Sequence, residues 1–357
     1  CGLNGDTMAF RSKSPDRAYD EITTLASKYG MQRVGFVDNI LDMRYIDTLF
    51  PRLADNGMQL ELFYEVKSNL RYDQVVKLHR GGMRQIQPGI ENFSNQVLKL
   101  MEKGVSGLQN IQLMRWCEEV GIECSWNMLG GFPGESPAEY ERIAKMAALL
   151  VHLQPPISCG QIRLDRFSPF HTRSEQFGFR HVRPARGYFY VFPLGRREMS
   201  RLAYFFDFDY GDNRDPQGYM KPISDVVRRW WASRTAATPA KLDAWFSADD
   251  CVRISDSRDP AAAHDRELNG LPAKLLFSCD AATTIDTLAR RSDLAAPAAE
   301  IEATLKQLCD DRLMIEDEKQ YLSLPVFRQR PAANNQHLSN AYITAKPSAA
   351  DSLLRVV

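Results

Sequence analysis

Leu60-Glu61-Leu62-Phe63-Tyr64-Glu65-Val66-Lys67 is a short apolar run that ends on charged residues, and the chain then turns helical. From about Asp73 to Arg80 the apolar positions recur at helical spacing, Gly81-Gly82 stops them, and Met83 to Pro88 reads as the next strand. The same unit repeats on both sides. Toward the N-terminus, Ser14-Pro15 signals a helix start, Ala18, Ile22, Leu25 and Ala26 continue it, and Gly30 ends it. Val34 to Val37 is then a strand ending at Asp38-Asn39, followed by a helix from about Asp42 to Asp55. Toward the C-terminus, helices are expected over Ser94 to Glu102, Gly107 to Val120 and Pro137 to His152, with strands over Ile122 to Leu129 and Ile157 to Phe167. Strand and helix alternating at roughly 25 to 35 residues imply right-handed βαβ units on a parallel sheet, an α/β fold.

The polar residues fall at telling places. Asp38-Asn39, Glu65 and Lys67, Glu91, and the stretch from Gly130 to Glu135 all stand just past an apolar strand. In parallel α/β folds the carboxyl ends of the strands are where loops and helix N-termini converge on ligands. Any single one of these residues serves equally well as a helix cap, but the recurrence at four strand ends points to one shared site. Glu65 and Lys67, two apart, share a strand face; if that face is interior, mutual pairing or a ligand must satisfy them.

The bulk properties exclude some classes. The 357 residues carry 45 basic and 45 acidic side chains, so no net field attracts nucleic acid or anionic membrane. No apolar run approaches the ~18 residues of a membrane-spanning helix, which leaves the cytoplasm as the default location. Seven scattered cysteines are expected to be reduced.

Three motifs together carry a family resemblance: Cys1-Gly2-Leu3-Asn4-Gly5-Asp6 with Met8-Ala9-Phe10-Arg11, Gln87-Pro88-Gly89-Ile90-Glu91, and Trp126-Asn127-Met128-Leu129-Gly130-Gly131-Phe132-Pro133-Gly134-Glu135. Over residues 1 to about 215 the chain resembles the cobalamin-binding radical S-adenosylmethionine (SAM) enzymes of ribosomal-peptide (RiPP) maturation, of the C-methyltransferase type. The resemblance implies a partial (β/α)6 barrel whose first strand leads into a Cys-x-x-x-Cys-x-x-Cys loop. Cys1 matches the last of those cysteines, so the chain is expected to be N-terminally truncated, its five strands being the second to sixth. A lone thiolate holds no cluster, and the fragment by itself is expected to be inactive.

The implied cofactors are a 4Fe-4S cluster, SAM and cobalamin, the last bound mainly by a preceding domain. By the same resemblance Cys1 is a cluster ligand, and Asp38 and Asn39 accept the SAM amino group. Lys67 reaches the SAM carboxylate while Glu65 orients it, and Glu91 after Gly89 contacts the ribose. Gly130, Gly131, Pro133 and Gly134 let the backbone approach the adenosyl part. The implied partners are a ribosomally synthesised precursor peptide and an electron donor such as a flavodoxin or ferredoxin, with no nucleic acid and no membrane.

The remaining candidates carry less. Cys117, Cys124 and Cys159 lack zinc spacing and read as core thiols, and of six histidines only His171 lies near the expected mouth, as a substrate contact. The aromatic run from Tyr188 to Tyr210 reads as packing of an accessory layer, or as a wall over the mouth. The expected division is 1–170 barrel, 171–270 accessory and connector region, 271–327 winged-helix-like unit and 328–357 disordered tail. Glu300, Glu302, Asp310, Asp311, Glu316, Asp317 and Glu318 make the third unit acidic, which argues against DNA and for a grip on the leader peptide. The leading expectation is methylation of an unactivated carbon; the alternatives are a radical SAM epimerase or ring-former, and an inactive peptide-binding module.

Overall fold

Apolar residues at alternate positions give the strands Glu61–Glu65 and Asn127–Gly130 one buried and one open face. The computed structural model describes residues 10–259, 261 and 264–331. Strands β1 (Arg33–Gly35), β2 (Glu61–Glu65), β3 (Met83–Gln87) and β4 (Glu123–Cys124) pair in parallel in chain order, and β5 (Asn127–Gly130) pairs in parallel with β6 (Ser158–Gln161). The strand expected over Ile122 to Leu129 is thus broken at Ser125-Trp126. There Ser125 N donates to Ile86 O at 2.8 Å while Trp126 turns into the core, its indole N–H on Gln154 O at 3.0 Å. Leu62, Tyr64, Val66, Met83, Ile86, Cys124 and Met128 form the buried face under the helices.

The helices follow the expected order, the second, fourth and sixth shorter than expected: Pro15–Tyr29, Tyr45–Asp55, Tyr72–Arg80, Asn95–Leu100, Gly107–Val120 and Ala138–Ala147. A seventh covering helix, Lys221–Arg234, comes from the stretch expected to be a connector and packs on Ala138–Ala147. It is fixed there by Trp230 and Trp231, whose indoles donate to Leu153 O at 2.8 Å and Pro156 O at 2.7 Å. Burying an indole contributes ~2–3 kcal/mol once its N–H is satisfied.

After β6 the chain leaves the parallel layer. Strands β7 (Leu164–Asp165), β8 (Phe179–Pro184) and β9 (Phe205–Tyr210) form an antiparallel sheet in the order β7-β9-β8. Its aromatics make a second core with Val97, Phe132, Ile162 and Leu164, so the run from Tyr188 to Tyr210 largely packs an accessory layer. Strands β10 (Leu242–Ala248), β11 (Cys251–Asp256) and β12 (His264–Asn269) follow as antiparallel neighbours.

The next unit runs helix Leu271–Ser278, β13 (Thr283–Thr284), helices Ile285–Ala289 and Ala298–Asp310, then the hairpin of β14 (Met314–Asp317) and β15 (Gln320–Ser323). Two of its acids face the protein: Asp317 pairs with Arg142 at 2.6 Å, and Asp311 with Arg266 at 3.2 Å. Part of the unit's acidity therefore serves docking.

The boundary drawn at 327 does not hold. β16 (Val326–Gln329) crosses it and pairs in parallel with β10, completing the sheet β12-β11-β10-β16. Arg328 holds Asp243 at 2.8 Å, and Arg330 holds Glu119, so ion pairs with distant segments order a stretch whose own composition reads as a tail. Residues 332–357 lie outside the described residues.

Candidate functional site

On the open face of the parallel strands the same alternation places polar residues in rows. Gly35, Phe63, Gln85 and Glu123 are register neighbours, as are Glu65 and Gln87, and Asn127 and Ser158. Near the amino ends and middle of the strands these groups satisfy one another. Arg33 pairs with Glu61 at 2.7 Å, Gln85 donates to Ser125 Oγ at 2.8 Å, and Ser158 donates to Asn127 Oδ1 at 2.8 Å.

The carboxyl ends differ. The side chains of Glu65 and Lys67 make no ion pair or hydrogen bond within the described residues. The mutual pairing considered from their spacing is absent, because the buried face belongs to Leu62, Tyr64 and Val66 and leaves Glu65 half-buried and Lys67 exposed. Burial pushes the Glu65 carboxyl up from its ordinary range. A half-buried acid and a free cation at the end of one strand form a dipolar site suited to a zwitterion.

Asp38 is exposed, and its carboxyl accepts from Tyr64 Oη at 2.8 Å. Tyr64 lies on the helix side of β2, stacked on Phe36 at 4.2 Å, so Asp38 leans away from Glu65 and keeps only its remaining lone pairs for a ligand. Asn39 follows it, exposed in the same loop. Behind them Asp42 accepts from Ser12 Oγ at 2.5 Å and from Arg44 Nη2 at 2.7 Å, which ties residue 12 to the loop after β1. Cys1 itself lies outside the described residues.

Glu91 is half-buried and paired with Lys103 at 2.7 Å, beside Gly89 at φ +60°. Two hydrogen bonds stitch this loop to β5: Leu129 N to Glu91 O at 2.8 Å, and Asn92 Nδ2 to Leu129 O at 2.9 Å. Asn92 is fully buried and gave no sequence signal beyond its place after Glu91.

The glycines at the end of β5 leave space for the protein's own side chains. A Cβ on Gly130 would meet Tyr140 Oη at 2.4 Å and Met220 Sδ at 2.5 Å, and one on Gly131, at φ +85°, would meet Tyr210 Oη at 2.4 Å. Their missing side chains make room for the protein's own hydroxyls. Pro133 and Gly134 instead border an open groove of about 820 Å³ shared with Arg180, His181, Tyr210 and Arg214.

Glu135, the last residue of that stretch, is the buried anchor of this loop. Its carboxyl accepts from Gly131 N at 2.6 Å, from Tyr140 Oη at 2.7 Å and from Tyr219 Oη. Burial first, and then the neighbouring Glu135, push both tyrosine hydroxyls up, so they remain donors. Tyr210 Oη adds a bond to Gly131 O at 2.7 Å and Arg214 one to Phe132 O at 2.7 Å.

His171 stacks on Phe206 with 4.4 Å between centroids, in the second core. Cys117 and Cys124 are buried and Cys159 partly so, and among the described residues no group of three or more His, Cys, Asp or Glu is placed to hold a metal ion. No helix among the described residues is long and apolar enough to cross a membrane.

Comparison with known proteins finds similarity over the part of the chain that holds this site. Residues 1–147 match the model of the Radical SAM superfamily, a segment that includes β1 to β5 and the loop from Gly130 to Glu135. An uncharacterized methyltransferase of Pyrococcus horikoshii is 26% identical over 145 residues, 40% of this chain and 31% of that protein. Among solved structures, the radical S-adenosylmethionine methyltransferase TsrM from Kitasatospora setae is similar at 20% identity and a TM-score of 0.41, over 47% of this chain and 35% of that one. The cobalamin-dependent S-adenosylmethionine radical enzyme OxsB is similar at 12% identity and a TM-score of 0.40, over 83% and 41%. The chain thus spans about a third of the length of its curated relative. Residues 1–147 match the Radical SAM model, and the described part of that segment folds as parallel α/β units.

Proposed function

We propose that the open polar face at the strand carboxyl ends binds S-adenosylmethionine, and that the protein uses it to methylate an unactivated carbon of a ribosomally synthesised peptide with cobalamin as methyl carrier. The observation that carries this reading is the unpartnered pair at the end of β2, half-buried Glu65 and exposed Lys67, inside the segment that matches the Radical SAM model.

The residues present fit the nucleotide cofactor. Lys67 supplies a cation for the carboxylate of SAM and Glu65 an acceptor for its amino group, with Asp38 and Asn39 across the mouth. Glu91, held by Lys103, stands where a ribose hydroxyl is accepted, and the Gly130 to Gly134 loop, fixed by Glu135, forms a rigid wall. Bound there, the cofactor supplies the hydrogen abstraction that an unactivated carbon requires. The described residues contain no ligand set for an iron-sulfur cluster; Cys1 belongs to the cluster by resemblance only. Methyl transfer is favoured over epimerisation or ring formation by the sequence resemblance and by the methyltransferase name of the archaeal relative. In this reading the unit from Leu271 to Ser323 is a winged helix that grips the leader of the peptide by strand addition.

The test uses the protein from its complete reading frame, reconstituted anaerobically with cobalamin and SAM labelled in its methyl group. Transfer of label into a precursor peptide supports methylation; a product without label, epimerised or cyclised, selects the other chemistry. Lys67→Ala should weaken SAM binding about tenfold, as loss of one charge-assisted contact does, and leave the thermal midpoint unchanged because the side chain is exposed and unpaired. An unchanged affinity would remove Lys67 from the site.

A further inference from the structure

Between Lys145 and Lys221 the chain has ten arginines and no lysine. From Arg163 to Arg201 the sequence holds nine arginines and three acids, Asp165, Glu175 and Glu198, in a protein whose overall charge is zero; Asp209 of β9 pairs with one of them, Arg183. This positive stretch folds into the accessory layer, which begins at β7, directly after the carboxyl end of β6. It therefore stands on the side of the molecule at which the candidate site opens.

The two short helices of that layer expose mainly arginine and apolar side chains, with Glu198 among them. The short helices Tyr188–Val191 and Arg196–Leu202 turn Tyr188 and Met199 inward, and Tyr188 Oη accepts from Tyr204 N at 3.0 Å. Tyr190 and Val191 are left 74% and 70% exposed, with Phe189, Phe192, Leu194 and Leu202 also open. Arg196, Arg197 and Arg201 are exposed, and their side chains have no partner within the described residues; Arg186 lies over the Tyr190 ring at 5.6 Å. Contiguous exposed apolar surface of this kind marks an interaction site, and arginine with tyrosine is the pairing enriched at binding hot spots.

We propose that this surface docks an acidic, apolar-bearing segment of the peptide substrate and so delivers the rest of that peptide to the strand ends. The charge of the patch requires an anionic partner. Arginine used to the exclusion of lysine favours planar carboxylates, which it binds bidentately, over a membrane surface that attracts either cation alike. Four consecutive exposed apolar residues also need an apolar counterpart, which a phosphate backbone does not offer. The identity of the partner rests on the peptide reading given above; the existence of the docking surface does not.

The test is fluorescence anisotropy with the complete chain and a labelled peptide built of alternating Glu, Leu, Asp and Phe, without cluster or SAM. The acidic peptide should bind, more weakly at higher salt, and a counterpart with Lys in place of its acids should not. Reversing Arg196→Glu, Arg197→Glu and Arg201→Glu together should weaken binding at least about tenfold, and the matching triple Lys variant about threefold. Tyr190→Ser with Val191→Ser should also cost about tenfold. All these side chains are exposed, so thermal midpoints should match the parent. No binding, equal binding by the charge-reversed variant, or preference for phosphatidylserine vesicles or oligothymidine over the peptide would each overturn the proposal. Because the assay involves no radical chemistry, its failure leaves the SAM reading standing, and failure of SAM cleavage leaves this result standing.

Discussion

Asp280→Ala should destabilise the protein by about 3–5 kcal/mol and lower its melting temperature by roughly 10 °C, although residue 280 is far in sequence from every site residue. Asp280 joins two cations: Arg115, whose side chain is fully buried, at 2.5 Å, and Arg330 at 3.0 Å. It also accepts from Trp116 Nε1 at 3.0 Å. Arg330 in turn holds Glu119 and lies 3.5 Å over the Tyr72 ring. The network thereby fastens helix Gly107–Val120 to the unit beginning at Leu271 and to β16. Removing the shared carboxylate leaves the buried Arg115 guanidinium without its counter-charge, while Arg330 keeps Glu119; Asp280→Ala with Arg115→Met should recover about 2 kcal/mol. Urea unfolding of the single and double variants measures both, and a single-variant loss below about 1 kcal/mol would mean water replaces the carboxylate.

The same residue sets a pH dependence. Burial works to raise the Asp280 carboxyl, but the charges of Arg115 and Arg330 outweigh it and hold the group at about 2, below an ordinary aspartate near 3.8. A lowered folded-state pKa contributes stability in full above the ordinary value, and that contribution is lost as pH falls from near 4 toward 2. The Asp280→Ala variant should lack this part of the acid limb.

Glu135→Ala is expected to act at the site itself. It strands three donors, Gly131 N–H and the Tyr140 and Tyr219 hydroxyls, in a place where the carboxyl is only 5% exposed. At about 1 kcal/mol or more for each unsatisfied group, the loss should be about 3 kcal/mol, with SAM affinity falling at least about tenfold as the wall from Gly130 to Gly134 loosens. Glu135→Gln keeps one acceptor for Gly131 N–H and should lose less than half as much. Equal losses for both variants would mean that the charge of Glu135 matters more than its geometry.

The parts of this arrangement legible in the sequence are those written in local order. Alternation in Leu62, Tyr64 and Val66, helix stops at Gly30 and Gly121, and polar residues just past four strands sufficed to place the parallel layer and its open end. Contacts made across long separations were not legible. β16 looks like the start of a polar tail until it pairs with β10, and the docking of helix Lys221–Arg234 shows only where its tryptophans find the carbonyls of Leu153 and Pro156. The anchoring role of Glu135 was not legible for the same reason, since Tyr219, one of its donors, lies 84 residues away. The hydrogen bond from Tyr64 to Asp38 also joins residues 26 apart and has no local signal.

The central claim is that the open polar face holds SAM for reductive cleavage. The most direct measurement is 5′-deoxyadenosine, quantified by mass spectrometry, from the protein of the complete reading frame reconstituted anaerobically with iron and sulfide and reduced in the presence of SAM. The account predicts 5′-deoxyadenosine from the parent protein and a strongly reduced yield from Lys67→Ala at subsaturating SAM. A reconstituted protein that binds iron and sulfide, yet forms no 5′-deoxyadenosine at any SAM concentration, would contradict it.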